Sequence, residues 1–83
     1  MKKVEKKPRD KPQIDLRAIG RRIREARGFD MTQEEFASLV GITQSHLSAL
    51  ERGIREPGSS VLLAISREFD MSVDWLLTGE RKK

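Results

Sequence analysis

Gln44, Ser45, His46, Ser48 and Ala49 crowd one short segment, with Leu47 and Leu50 set among them. At helical spacing the two leucines form an inward stripe. Gln44, Ser45, Ser48 and Ala49 then fall on the outward side, with His46 toward its edge. The chemistry of such a face is recognition. A glutamine amide carries a donor and an acceptor in one plane, which suits adenine N6 and N7. Alanine can meet a thymine methyl, and serine serves several base edges and so specifies little. With Ser45, Ser48 and Ala49 all small, part of any sequence preference is left to DNA shape.

A reading face of this kind needs a helix whose N-terminus approaches phosphate, where free N–H groups and the positive dipole end favour negative charge. It also needs a second helix to hold it. The stretch Thr32 to Gly53, TQEEFASLVGITQSHLSALERG, reads as two short helices joined by a tight turn at Gly41. That is the sequence form of a helix-turn-helix.

One local grammar repeats from Ile14 onward. An apolar residue precedes a small polar cap, and a second apolar residue follows the cap by four. The pairs are Ile14 and Ile19, Met31 and Phe36, Ile42 and Leu47, and Met71 and Leu76. This is the hydrophobic staple, and Thr32 with Glu35 adds a capping box. Gly28, Gly41, Gly53 and Gly79 stand where helices should stop in a left-handed residue.

The pattern predicts five helices. They cover Leu16–Arg27, Gln33–Val40, Gln44–Arg52, Ser60–Phe69 with Ser59 or Ser60 as cap, and Val73–Thr78. The second helix is expected to bury Phe36, Ala37, Leu39 and Val40 in part. The last is too short to bury Trp75, Leu76 and Leu77 together easily, so part of it is expected to face a partner. No strand pattern competes.

The 83 residues suffice for one small domain. Residues 14–80 form its expected extent, preceded by a disordered basic arm over 1–13 and followed by a basic tail over 81–83. The formal net charge of +4 belongs to that arm, because the rest of the chain carries equal numbers of basic and acidic side chains. Charge alone is therefore a poor argument for a nucleic-acid partner. The better argument is local: the first helix carries Arg17, Arg21, Arg22, Arg24 and Arg27 against Glu25, read as a solvated face with phosphate contact as the alternative.

There is no cysteine and only one histidine, which excludes a disulfide framework and zinc sites built from several such ligands. No apolar run approaches the roughly 20 residues of a membrane span, and a cytoplasmic protein is expected. No glycine-rich phosphate loop or framed carboxylate pair is present, so no enzyme activity and no cofactor are expected.

Thr32 to Gly53, the Pro57 region and Ser72–Glu80 (SVDWLLTGE) resemble the lambda-repressor-like, Cro/cI-type helix-turn-helix family, often called the XRE family. The resemblance covers Leu16 to Glu80. It implies an all-α, compact five-helix DNA-binding domain whose second and third helices form the helix-turn-helix. It further implies that Gln33 contacts a phosphate and braces Gln44, and that Gln44, Ser45 and Ala49 face bases, with Ser48 an addition. Thr43 would cap the reading helix and touch phosphate. Arg52 and Arg55 would lie along the backbone. His46 reads as a partly exposed residue of the first helical turn near the DNA face, with a pH-sensitive phosphate contact as the alternative. Glu51 would pair with an arginine of the first helix, but the sequence does not choose which.

The expected function is a sequence-specific transcriptional regulator, a repressor that binds a pseudo-palindromic operator in double-stranded DNA as a homodimer. Dimer contacts are expected from the last helix and the loop before it. A second reading keeps the fold as an antitoxin or anti-repressor type module, which binds a protein partner through the apolar surface of the last helix.

Overall fold

The computed structural model describes residues 12–80. The basic arm up to residue 11 and the tail over 81–83 lie outside the described residues. Five helices follow in order: α1 Leu16–Arg27, α2 Gln33–Val40, α3 Gln44–Glu51, α4 Ser59–Phe69 and α5 Val73–Thr78. No strand occurs among the described residues. None of these helices is long and apolar enough to cross a membrane.

The caps explain why the helices begin where they do. The Asp15 carboxylate accepts from the backbone N–H groups of Arg17 and Ala18. Thr32 and Glu35 bond each other's backbone N–H, which completes the capping box. Thr43 accepts from His46 N and Ser72 from Trp75 N. The start of α4 departs from expectation. Gly58 occupies the N-cap position with no side-chain bond, and Ser59 already lies in the helix.

The stops are less uniform. Gly41 closes α2 in the left-handed region at φ 79, ψ 29, and its N–H returns to Ala37 and Ser38 carbonyls. Gly28 has a positive φ but an extended ψ of −167, so it redirects the chain without the expected left-handed cap. Arg52 is the right-handed C-cap of α3 and is not part of the helix. Asp70, not a glycine, ends α4 in the left-handed conformation.

Ile19, Ile23, Phe36, Leu47, Leu50, Ile65 and Leu76 form the fully buried centre of the core. Each contributes about 1.5–3 kcal/mol relative to exposure. Phe36 stacks on Phe69 with ring centroids 4.6 Å apart, tying α2 to α4. α1 packs on α3 and α5, α2 on α3 and α4, and α4 on α5. Leu39 is exposed, contrary to expectation. At 100° per residue, Phe36, Ala37 and Val40 share one arc of α2, and Leu39 falls outside it. Ile14, the first residue of the first staple, is exposed as well. In α5, Trp75 and Leu76 are buried and Leu77 is half-buried.

Candidate nucleic-acid interface

Two eight-residue helices carry the site. Gly41, Ile42 and Thr43 separate them, and Ile42 N–H donates to the Ala37 carbonyl at 2.9 Å, which tightens the corner. Leu47 and Leu50 anchor α3 in the core. On the other side, Thr43, Gln44 and Ser45 are exposed, His46, Ser48 and Ala49 are half-buried, and Arg52 and Arg55 are exposed. The residues named from sequence between Thr43 and Arg52 therefore share the outward side and the ends of α3, while Arg55 lies in the loop beyond it.

Gln33 is the first residue of α2 and is half-buried. Its Oε1 accepts from Gln44 Nε2 at 3.0 Å. Its own Nε2 donates to Glu51 Oε1, also at 3.0 Å. Glu51 in turn is held by Arg27, whose Nε donates to Oε2 at 2.8 Å and Nη2 to Oε1 at 3.0 Å. Arg27 Nη1 donates to the Met31 carbonyl at 3.0 Å. A continuous relay thus runs from Arg27 through Glu51 and Gln33 to Gln44.

The relay corrects one sequence reading. Arg27 does not belong to a solvated face: its side chain is 14% exposed and that of Glu51 only 5%. The hydrogen bond to Glu51 raises the Arg27 pKa above its ordinary value, opposed by burial and aided by the carboxylate charge. Arg22 is also committed, donating from Nη1 to the Leu76 carbonyl at 3.1 Å. Arg17, Arg21 and Arg24 remain exposed, as read.

Gly20 is the positioning residue that the sequence reading missed. A Cβ there would lie 2.5 Å from the carbonyl oxygens of Leu50 and Glu51. The close α1–α3 crossing therefore needs glycine. The available signal was a glycine within the buried stripe of an otherwise uninterrupted helix, a place where it costs about 1 kcal/mol against alanine.

The first turn of α3 carries no acidic residue, so its positive end stands uncompensated. The first turn of α2 holds Glu34 and Glu35, and Glu35 is engaged in the capping box. A broad groove between α1 and α5 is lined by Arg21, Arg22, Arg24 and Trp75 and includes no residue of α3. Among the described residues no group of three or more His, Cys, Asp or Glu side chains could hold a metal. The face built by α3 is a polar, partly exposed surface on a helix anchored in the core by Leu47 and Leu50.

The helix-turn-helix family model matches residues 21–76. The chain belongs to the Cro/cI-type helix-turn-helix family. This helix-turn-helix protein is 44% identical over 50 residues to the uncharacterized HTH-type transcriptional regulator YqaE of Bacillus subtilis (strain 168). That match covers 60% of this chain and 43% of YqaE, so the chain spans under half the length of that relative. Among solved structures it resembles the P22 c2 repressor protein in complex with a synthetic operator. The TM-score is 0.70 at 35% identity, covering 75% of this chain and 96% of that one. It also resembles the restriction-modification controller protein C.AhdI from Aeromonas hydrophila. There the TM-score is 0.67 at 32% identity, covering 75% and 91%. The all-α, five-helix architecture read from the sequence agrees with these likenesses.

Proposed function

We propose that this protein is a sequence-specific DNA-binding transcriptional regulator, a repressor that binds a pseudo-palindromic operator as a homodimer. The reading helix is α3, lying in the major groove with its N-terminal turn toward the bases. Gln44, Ser45 and Ala49 face base edges, with Ser48 beside them. Gln33, Thr43, Arg52 and Arg55 meet the phosphate backbone, and His46 lies at the rim. Phosphate contacts supply most of the affinity and all of the nonspecific binding.

The observation that carries this reading is the Gln33–Gln44 hydrogen bond at the helix-turn-helix corner. It holds an exposed amide at the start of an anchored helix, where a base edge would arrive. The solved likeness to a repressor bound to its operator supports the DNA partner. Half-sites would lie about one helical turn apart, near 34 Å, with dimer contacts from α5 and the loop before it. The reading places the protein in the cytoplasm with its DNA and assigns it no catalytic role.

Selection of bound duplexes from a random DNA pool tests the proposal. A two-fold-symmetric site with half-sites about ten base pairs apart supports it. Binding that is salt-sensitive but blind to sequence overturns it.

A further inference from the structure

We infer that Glu51, clamped by Arg27, is a positioning residue that fixes the donor–acceptor order in which Gln44 meets a base pair. The inference rests on the proposed base-facing role of Gln44. A primary amide is nearly symmetric in shape, and a half-turn exchanges its oxygen and nitrogen. Left alone, Gln44 could present either order. The relay removes that choice, one link at a time.

A carboxylate only accepts hydrogen bonds. Both Glu51 oxygens are taken by Arg27, and Oε1 also accepts from Gln33 Nε2. Gln33 must therefore turn its NH2 toward Glu51, which leaves its Oε1 toward Gln44. An acceptor facing Gln44 can be met only by Gln44 Nε2, the bond observed at 3.0 Å. The Glu51 side chain is 5% exposed, so water competes poorly for the carboxylate that sets the order. The order is thus decided in the interior, two links from the surface.

The consequence falls on specificity. Gln44 presents its Nε2 end beside Gln33 and its Oε1 end away from it. An A·T pair offers adenine N7, an acceptor, and then N6, a donor, which fits that order. A C·G pair offers cytosine N4, a donor, and then guanine O6, an acceptor, which fits the reverse. The relay selects A·T over C·G at the Gln44 position by making the reversed amide break a bond within the protein.

The test uses the full 83-residue chain and duplexes from the random-pool selection that differ only at the base pair read by Gln44. Gln44→Ala should abolish the preference there. If it does not, the base-facing reading fails and the inference falls with it. With that reading in place, Glu51→Gln should narrow the A·T over C·G preference about tenfold, the scale of one hydrogen bond to a charged group. Preferences at base positions that Gln44 does not read should stay as in the unaltered chain. The double variant Gln33→Glu with Glu51→Gln restores an acceptor-only group against Gln44, so it should recover the preference at lower affinity for every sequence. An unchanged preference in Glu51→Gln, with Gln44→Ala effective, overturns the inference. Should Glu51→Gln fail to fold, Gln33→Met cuts the relay with the Arg27–Glu51 pair intact. The same narrowing is expected there, and an unchanged preference is equally fatal.

Discussion

Arg27 grips the Glu51 carboxylate with two nitrogens, Nε at 2.8 Å from Oε2 and Nη2 at 3.0 Å from Oε1. The pair joins the last residue of α1 to the last residue of α3. Both side chains are largely removed from water, so each depends on the other for compensation.

Removal of one partner should therefore be costly. Arg27→Ala leaves a buried carboxylate without its cation, and about 3 kcal/mol of stability should be lost. Arg27→Lys should recover only part of it, because an ammonium does not reproduce the planar fork that reaches Glu51 and Met31 together. Urea unfolding of the three proteins measures both. The folded-state pKa of Arg27 is raised above its unfolded value. Its stabilising contribution is thus fully present below the unfolded pKa and is lost only as pH rises past the raised one. Arg27 should therefore add no pH dependence to stability between pH 7 and 10.

Two glycines of similar appearance in the sequence should respond differently to alanine. At Gly20 a Cβ would strike the Leu50 and Glu51 carbonyls, so α3 must move away from α1. Gly20→Ala should cost about 3 kcal/mol, at the upper end for overpacking. At Gly41 a Cβ meets nothing within 4 Å, and only the left-handed φ of 79 opposes it. Gly41→Ala should cost about 1 kcal/mol. Equal losses in urea unfolding would contradict this account of the α1–α3 crossing.

Most of the framework was legible because caps are local chemistry. Thr32 with Glu35, Thr43 and Ser72 each announce a helix start by residue type, and each bond forms. The start of α4 was misread for a related reason. Ser59 and Ser60 have the chemistry of caps, but the chain turns at Gly58 and both serines are already helical. The partner of Glu51 was legible only as an arginine of the first helix, and the structure makes it Arg27. Arg17, Arg24 and Arg27 lie within about 60° of Gly20 around α1, so helical phase does not separate them. The tertiary arrangement does: α1 runs from Arg17 beside Gly53, through Gly20 at the end of α3, to Arg27. The Glu51 side chain leans back toward the α3 N-terminus, as helical side chains do, and so meets the far end of α1. The same lean brings it to Gln33, which no sequence pattern signalled.

Asp70 should be a site where stability can be gained. It ends α4 at φ 54, ψ 45, a conformation that costs a non-glycine residue about 1 kcal/mol or more. Its negative charge also sits at the unfavourable end of the helix dipole. Asp70→Gly and Asp70→Asn should each raise stability, by about 0.5–1 kcal/mol. Thermal unfolding should show a midpoint higher by a few degrees, and a lower midpoint in both would refute the argument.

Arg52 is exposed, and its Nε donates to the Ser48 carbonyl at 3.3 Å. As a proposed phosphate contact it carries no sequence information. Arg52→Ala should weaken binding to all duplexes alike and reduce the slope of log affinity against log salt by about one. A loss confined to particular sequences would reassign it to base readout.

The central claim is that α3 reads bases through Gln44, and one measurement reaches it directly. Gln44→Ala and the unaltered chain are titrated against the selected duplex and every single-base-pair variant of its half-site. The account predicts a loss of about 1–3 kcal/mol confined to one base position, where the variant no longer discriminates among the four pairs. An equal loss on every sequence, with discrimination intact, would contradict it and leave Gln44 as a backbone contact.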